Sequence, residues 1–257
     1  MRSIDGVLLD IDGVLAVSWD PIPGAPEALE LLRGGNVAFK LITNTTTHTR
    51  ADLAATLARA GFDVGPEDIV TAVAGTASYL RTHHAGARVY LLSDGDARSD
   101  LEDVTLVTDG PVDVVVIGGA CDDFSYAALN RIFRMLMGGA ELIGMHRNLY
   151  WKTNEGWQLD GGAYIAGLEE ASGRPAVICG KPAPAFFEEA LRLLGTSAGR
   201  AAMVGDDIVS DVLGGQAAGL TGVLVRTGKF VPADLERGAP DHVLDSIADL
   251  PGLLEKL

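Results

Sequence analysis

Short apolar runs alternate along the chain with segments of helical spacing, and the two periods together set out most of the expected fold. The first run, Gly6-Val7-Leu8-Leu9, has buried-strand length and stops on Asp10-Ile11-Asp12-Gly13. Pro21-Ile22-Pro23-Gly24 is a turn, residues 25–33 read as an amphipathic helix, and Gly34-Gly35 stops it. Residues 37–44 form a second strand that also ends in small polar residues, and residues 50–60 a helix closed by Gly61. In the middle of the chain, strands are predicted at 89–92, 112–117 and 140–143, and helices at 126–137 and 163–171. From Pro175-Ala176-Val177-Ile178 the earlier pattern resumes, with a helix at 185–194, a strand at 201–204, a helix through 216–218 and a strand at 222–225. Strands alternating with helices predict an α/β fold with a parallel sheet and right-handed crossovers.

The middle stretch holds few acids placed for a phosphate site, yet it is about as long as a domain. The expected organisation is therefore a core in two segments, 1–76 and 175–257, with an inserted domain at 77–174. Hinges between the two are expected near Ala74-Gly75 and Gly173-Arg174-Pro175. Within the insertion, Tyr150, Trp151 and Trp157 read as core aromatics ahead of a substrate platform.

Composition narrows the range of partners. The 257 residues carry 20 basic and 35 acidic side chains, a net charge of −15, which argues against nucleic acid or an anionic membrane as the primary partner. An anionic substrate must then be captured by local cations or a metal. Cys121 and Cys179 are too few and too far apart for a disulfide framework. The N-terminus shows no signal-peptide pattern and no apolar stretch reaches membrane-spanning length, so the cytoplasm is the expected compartment.

Candidate chemistry gathers where strands end. In open α/β sheets ligands bind outside the carboxyl ends of the strands. Four such ends offer Asp10 and Asp12, then Thr43 and Asn44, then Lys181, then Asp206, Asp207 and Asp211. Taken singly each has a plain structural reading: an Asp-rich turn, a helix cap, a solvated lysine. Taken in order, each after an apolar strand, they point to one shared site. Clustered acids repel one another unless a cation or a shared proton relieves them. An EF-hand does not fit, because Val14-Leu15-Ala16-Val17 is apolar where further oxygen ligands belong. A phospho-acceptor receiver domain also combines Asp, Thr and Lys, but it is about half this length and lacks an insertion.

The four segments Asp10-Ile11-Asp12-Gly13, Thr43-Asn44, Gly180-Lys181-Pro182 and Gly205-Asp206-Asp207-Ile208-Val209-Ser210-Asp211 resemble the motifs of the haloacid dehalogenase-like phosphohydrolases. The insertion is similar to the α/β cap (C2 type) of their class IIA, or NagD-type, branch, set on a Rossmann-like core. Within that branch Arg147-Asn148-Leu149-Tyr150-Trp151-Lys152-Thr153 and Leu159-Asp160-Gly161-Gly162-Ala163 are most similar to the phospholysine/phosphohistidine/inorganic pyrophosphate phosphatases. The resemblance implies a Mg²⁺-dependent phosphatase acting on a small phosphorylated substrate through an aspartyl-phosphate. Asp10 would be the nucleophile and Asp12 the general acid and base. Mg²⁺ would be held by the carboxylates of Asp10 and Asp206 and the backbone carbonyl of Asp12, with Asp211 and Asp207 orienting its waters. Thr43, the N–H of Asn44 and Lys181 would hold the phosphoryl oxygens, and His146 and Asn148 in the cap are candidate substrate contacts. A homodimer is also implied. A phosphomutase, or a phosphate-binding regulatory protein without turnover, remains the alternative.

Overall fold

The fold was obtained as a computed structural model that describes residues 4–153 and 156–257. The chain divides into two compact units, one of residues 1–43, 50–70 and 181–257, the other of residues 44–49 and 71–180.

The first unit is built on a six-stranded sheet in the order His242–Leu244, Thr221–Val225, Ala201–Gly205, Gly6–Asp10, Ala38–Thr43, Ile69–Thr71. Gly6–Asp10 lies in the interior of the sheet and runs parallel to both neighbours, with Gly6 opposite Ala201 on one side and Ala38 on the other. Its alternation feeds two apolar clusters. Val7 and Leu9 join Leu41, Val204, Val223 and Leu57 in one, while Leu8 joins Ile42, Met203, Phe186 and Phe187 in the other. Burial of both sets explains why the strand is apolar throughout rather than alternating with polar residues.

The second unit repeats the plan. Its five-stranded sheet has the order Val177–Ile178, Glu141–Gly144, Val114–Ile117, Arg88–Leu92, Thr105–Leu106, every pair parallel. Val114 and Val116 belong to one cluster with Val89, Ile143 and Leu80, and Val115 and Ile117 to another with Leu142, Ile132 and Ile165. Helix Tyr126–Met137 starts where Ser125 accepts a hydrogen bond from the Ala128 N–H, and helix Gly161–Ser172 is capped by Asp160.

Three expectations change. The seams fall at Val70/Thr71 and Gly180/Lys181, a few residues outside those expected at 76/77 and 174/175. One reason is helix Ala72–His83, which the sequence hid: Gly75, Thr76, Ser78 and Thr82 interrupt its apolar spacing with residues that propagate a helix less well than alanine or leucine. It is nucleated by Thr71, whose hydroxyl accepts from the Ala74 N–H, and held by burial of Val73, Ala77 and Leu80. Ala74-Gly75 therefore lies inside a helix and not at a joint. The other reason is Val177–Ile178, read as the return of the core, which pairs instead with Ile143 and Gly144 in the second sheet. Tyr150 is also not a core residue: it is 60% exposed. The side chains of Trp151 and Trp157 lie outside the described residues.

Leu8 is fully buried against the two phenylalanines, so Leu8→Ala combines lost transfer energy with a cavity. The expected cost is about 3 kcal/mol in denaturant unfolding. Tyr126, at 86% exposure, gives the matched control, with Tyr126→Ala expected to shift stability by no more than about 0.5 kcal/mol.

Candidate active site

Gly6–Asp10 ends on Asp10, and the chain turns at once: Leu15 donates its N–H to the Ile11 carbonyl and Gly13 takes a left-handed φ of 80°. Asp10 stays buried, and its Oδ1 accepts the Ile11 N–H at 2.8 Å. The adjacent strand Ala201–Gly205 brings Asp206 to the same edge. Beyond it a π-helical turn, Ile208–Leu213, is capped by Asp207, which accepts from the N–H groups of Val209 and Ser210 at 2.9 Å each. That turn carries Asp211 back over Gly205. A Cβ on Gly205 would lie 2.2 Å from the Asp211 Cβ, so only glycine leaves room for the carboxylate.

Lys181 closes the group. Its Nζ lies 2.7 Å from Asp10 Oδ1 and 2.7 Å from Asp211 Oδ1, with all three side chains buried. Carboxylate oxygens of Asp10, Asp206 and Asp211 lie within 4.8 Å of one another, a spacing suited to a shared cation. Asp211, expected outside the ligand shell, is thus part of the cluster itself. Its Oδ2 accepts the Asp207 N–H at 3.2 Å, and its Oδ1 pairs with the Lys181 ammonium.

The charges do not balance. One buried ammonium faces three carboxylates. Burial would lower Lys181, but attraction to Asp10 and then Asp211 outweighs it and holds the ammonium charged. Asp211 is pushed up to about 8, first by burial and then by repulsion from Asp10, against the pull of Lys181. Asp206 is pushed up to about 6 by the same two causes. Its Oδ1 is buried with no hydrogen-bond partner among the described residues. An orphaned carboxylate oxygen in a cluster with surplus negative charge is what a hard divalent cation with oxygen ligands relieves, and these residues fit Mg²⁺.

Asp12 stands apart from the buried group. Its side chain is open to solvent, yet enough protein surrounds it that loss of hydration, followed by repulsion from Asp10, raises its carboxyl above the ordinary value. Asp207 goes the other way: burial would raise it, but the Ser210 and Val209 N–H groups and the Lys229 ammonium prevail and lower it. Thr43 is buried at the end of its strand in the first unit, and the seam between the units falls between it and Asn44.

In the second unit His146 is 3% exposed. Its Nδ1 accepts the Asn148 N–H at 3.3 Å, which places the proton on Nε2, 3.6 Å from Asp160 Oδ1. Burial lowers its pKa, against the pull of Asp160, so the ring is neutral near pH 7. Nδ1 is thereby engaged inside the unit while Nε2 faces Asp160, and Asn148, itself exposed, is tied to the ring through its N–H.

Sequence reasoning missed Lys229. Its main-chain N–H donates to Asp206 Oδ2 at 2.6 Å and its ammonium lies 3.8 Å from Asp207 Oδ2. The signal was present: Thr227-Gly228-Lys229 follows an apolar strand, as the other motifs do.

In the metal-free protein the folded state binds more protons than the unfolded one wherever Asp206 and Asp211 are raised above their ordinary value. Stability is therefore full below about pH 4 in this respect and falls as pH rises through 6 and then 8. Thermal melting with a chelator should fall from pH 5 to pH 8.5, and Mg²⁺ should restore more at the upper end. Asp211→Asn should flatten the slope.

Two family models match the chain: haloacid dehalogenase-like hydrolase over residues 7–106, and HAD-hydrolase-like over residues 178–250. The human haloacid dehalogenase-like hydrolase domain-containing protein 2 is 38% identical over 243 residues, covering 95% of this chain and 92% of its own. The human phospholysine phosphohistidine inorganic pyrophosphate phosphatase is 36% identical over 262 residues, covering 99% and 95%. Among solved structures, NagD from Escherichia coli K-12 superposes with a TM-score of 0.88 at 29% identity, over 96% of this chain and 98% of that one. With relatives of this identity aligned over nearly its whole length, and the strand-end acids in the order the family requires, the chain belongs to the haloacid dehalogenase-like hydrolases, in their class IIA, NagD-type branch.

Proposed function

We propose that the protein is a Mg²⁺-dependent phosphatase that hydrolyses a small phosphorylated substrate through an aspartyl-phosphate on Asp10. The observation that carries this reading is the buried Asp10–Asp206–Asp211 cluster, faced by the buried Lys181 ammonium and with Asp206 Oδ1 left unpartnered. Bound to Asp10, Asp206 and the Asp12 carbonyl, Mg²⁺ would offset the repulsion between carboxylates and an incoming phosphate.

The chain's own residues supply the rest. Oδ1 of Asp10 is held by the Ile11 N–H and Lys181, so in-line attack on phosphorus falls to Oδ2. As the P–O bond to the leaving group breaks, Asp12 gives it a proton; loss of hydration and repulsion from Asp10 raise its carboxyl above the ordinary value, the direction a proton donor needs. Asp12 then takes a proton from the water that attacks the aspartyl-phosphate, which releases phosphate and restores Asp10. Lys181, Thr43 and the Asn44 N–H are assigned to the phosphoryl oxygens, where negative charge builds. Asp207 and Asp211 are assigned to holding the metal's surroundings in place.

The name of the relative at 36% identity points to phospholysine, phosphohistidine and pyrophosphate as substrates to try, beside ordinary phosphate monoesters. His146 and Asn148 are proposed as cap residues that shape substrate choice, with His146 acting by fixing the Asn148 loop. Among the described residues no helix is long and apolar enough to cross a membrane; the cytoplasm is proposed on the sequence pattern alone. Dimer formation is proposed on the family likeness alone, and size-exclusion chromatography reads it directly.

Phosphate release from sugar phosphates, nucleoside monophosphates, pyrophosphate and a phosphoramidate should require Mg²⁺ and vanish in Asp10→Asn, a loss of at least about 10³-fold. Isomerised product without phosphate would establish a mutase instead, and bound phosphate without turnover a regulatory protein. For Asp12→Ala the loss should grow as the leaving group becomes more basic, from aryl to alkyl phosphates. Equal losses across the series would remove Asp12 from the acid role.

A further inference from the structure

A carboxylate binds metal well only when its oxygens are aimed, and the groups that aim it usually lie one layer out. Around Asp206 that layer comes from a segment outside the four motifs, the loop Thr227-Gly228-Lys229 that leaves strand Thr221–Val225. Three contacts tie it to the acid. The Lys229 N–H donates to Asp206 Oδ2 at 2.6 Å. The Thr227 hydroxyl donates to the Gly13 carbonyl and fastens the loop to the turn after Asp12. Gly228, at φ 64°, lies so close that a Cβ there would fall 2.1 Å from Asp206 Oδ2 and 2.5 Å from the Gly13 Cα.

Gly13 completes the enclosure, since a Cβ on it would also fall 2.1 Å from Asp206 Oδ2. One oxygen of Asp206 is thus walled in by backbone from two loops and given a single N–H, while the other is left buried and unpartnered. A carboxylate gripped at one oxygen cannot rotate to satisfy the other. The unpartnered oxygen is therefore held in place for a cation.

We propose that Thr227-Gly228-Lys229 is a positioning element of the active site: by gripping Asp206 Oδ2 it fixes Asp206 Oδ1 for the metal and thereby sets metal affinity. This rests on Asp206 being a ligand. Lys229 contributes twice, through its N–H to Asp206 and through its ammonium beside Asp207.

The test uses the full chain freed of metal, with Mg²⁺ and Mn²⁺ binding measured by calorimetry and the melting temperature of the metal-free protein measured in parallel. Thr227→Val and Gly228→Ala should each weaken Mg²⁺ binding about tenfold. Thr227→Ser, which keeps the hydroxyl, should bind as the wild type does. If Gly228→Ala fails to fold, Thr227→Val carries the test alone. Wild-type affinity in a folded Thr227→Val overturns the proposal when Asp206→Asn has lost binding, and so does an equal loss in Thr227→Ser. Undiminished binding in Asp206→Asn would instead overturn the ligand reading, and the proposal with it.

Discussion

The constraint on which the site depends is unbalanced negative charge held out of water. Asp10, Asp206 and Asp211 are brought within one cation's reach, and the protein supplies one buried ammonium, Lys181, to face them. Taking carboxylates out of water without full compensation costs several kcal/mol per group. Such a cluster persists only because the sheet and its two apolar clusters hold the strand ends in place regardless. The free energy gained by burying Val7, Leu8 and Leu9 is, in part, spent on keeping Asp10 beside its neighbours.

This explains why the elements around the acids look as they do. Gly205 is bare so that Asp211 can lie across it, and Asp207 caps a π-helical turn that returns Asp211 to the sheet edge. Each departure from regular structure at this edge has a carboxylate as its reason. Local strain and rare turns gather where chemistry is done, while the strands leading there are ordinary.

Much of this was legible in the sequence, because apolar runs and the polar residues that stop them are local signals. Asp10, Lys181 and Asp206 could be read from position alone, and helix Tyr126–Met137 from its spacing. What escaped was fixed by contacts distant in the chain. Helix Ala72–His83 has its apolar pattern broken by Gly75 and Thr76 and is held by burial of Val73, Ala77 and Leu80. Val177–Ile178 looks like any strand, and only its pairing with Ile143 and Gly144 gives its sheet. Lys229 was missed although its segment follows an apolar strand, because it is its main-chain N–H that bonds Asp206, and a main-chain contact does not single out a residue type. That the His146 ring turns to Asn148 and Asp160 was equally out of reach, because both contacts depend on how its loop folds.

The interior place of strand Gly6–Asp10 has a consequence for how the chain is made. That strand is translated before both of the neighbours it needs, and one of them, Ala201–Gly205, follows almost two hundred residues later. Residues 71–180 hold a parallel sheet with apolar clusters on both faces, all encoded in one continuous stretch. On the ribosome the inserted unit can close first, while the segment that precedes it, with its apolar strand exposed, waits for Ala201–Gly205. The segment that carries Asp10 is then the one left open to aggregation until the sheet closes.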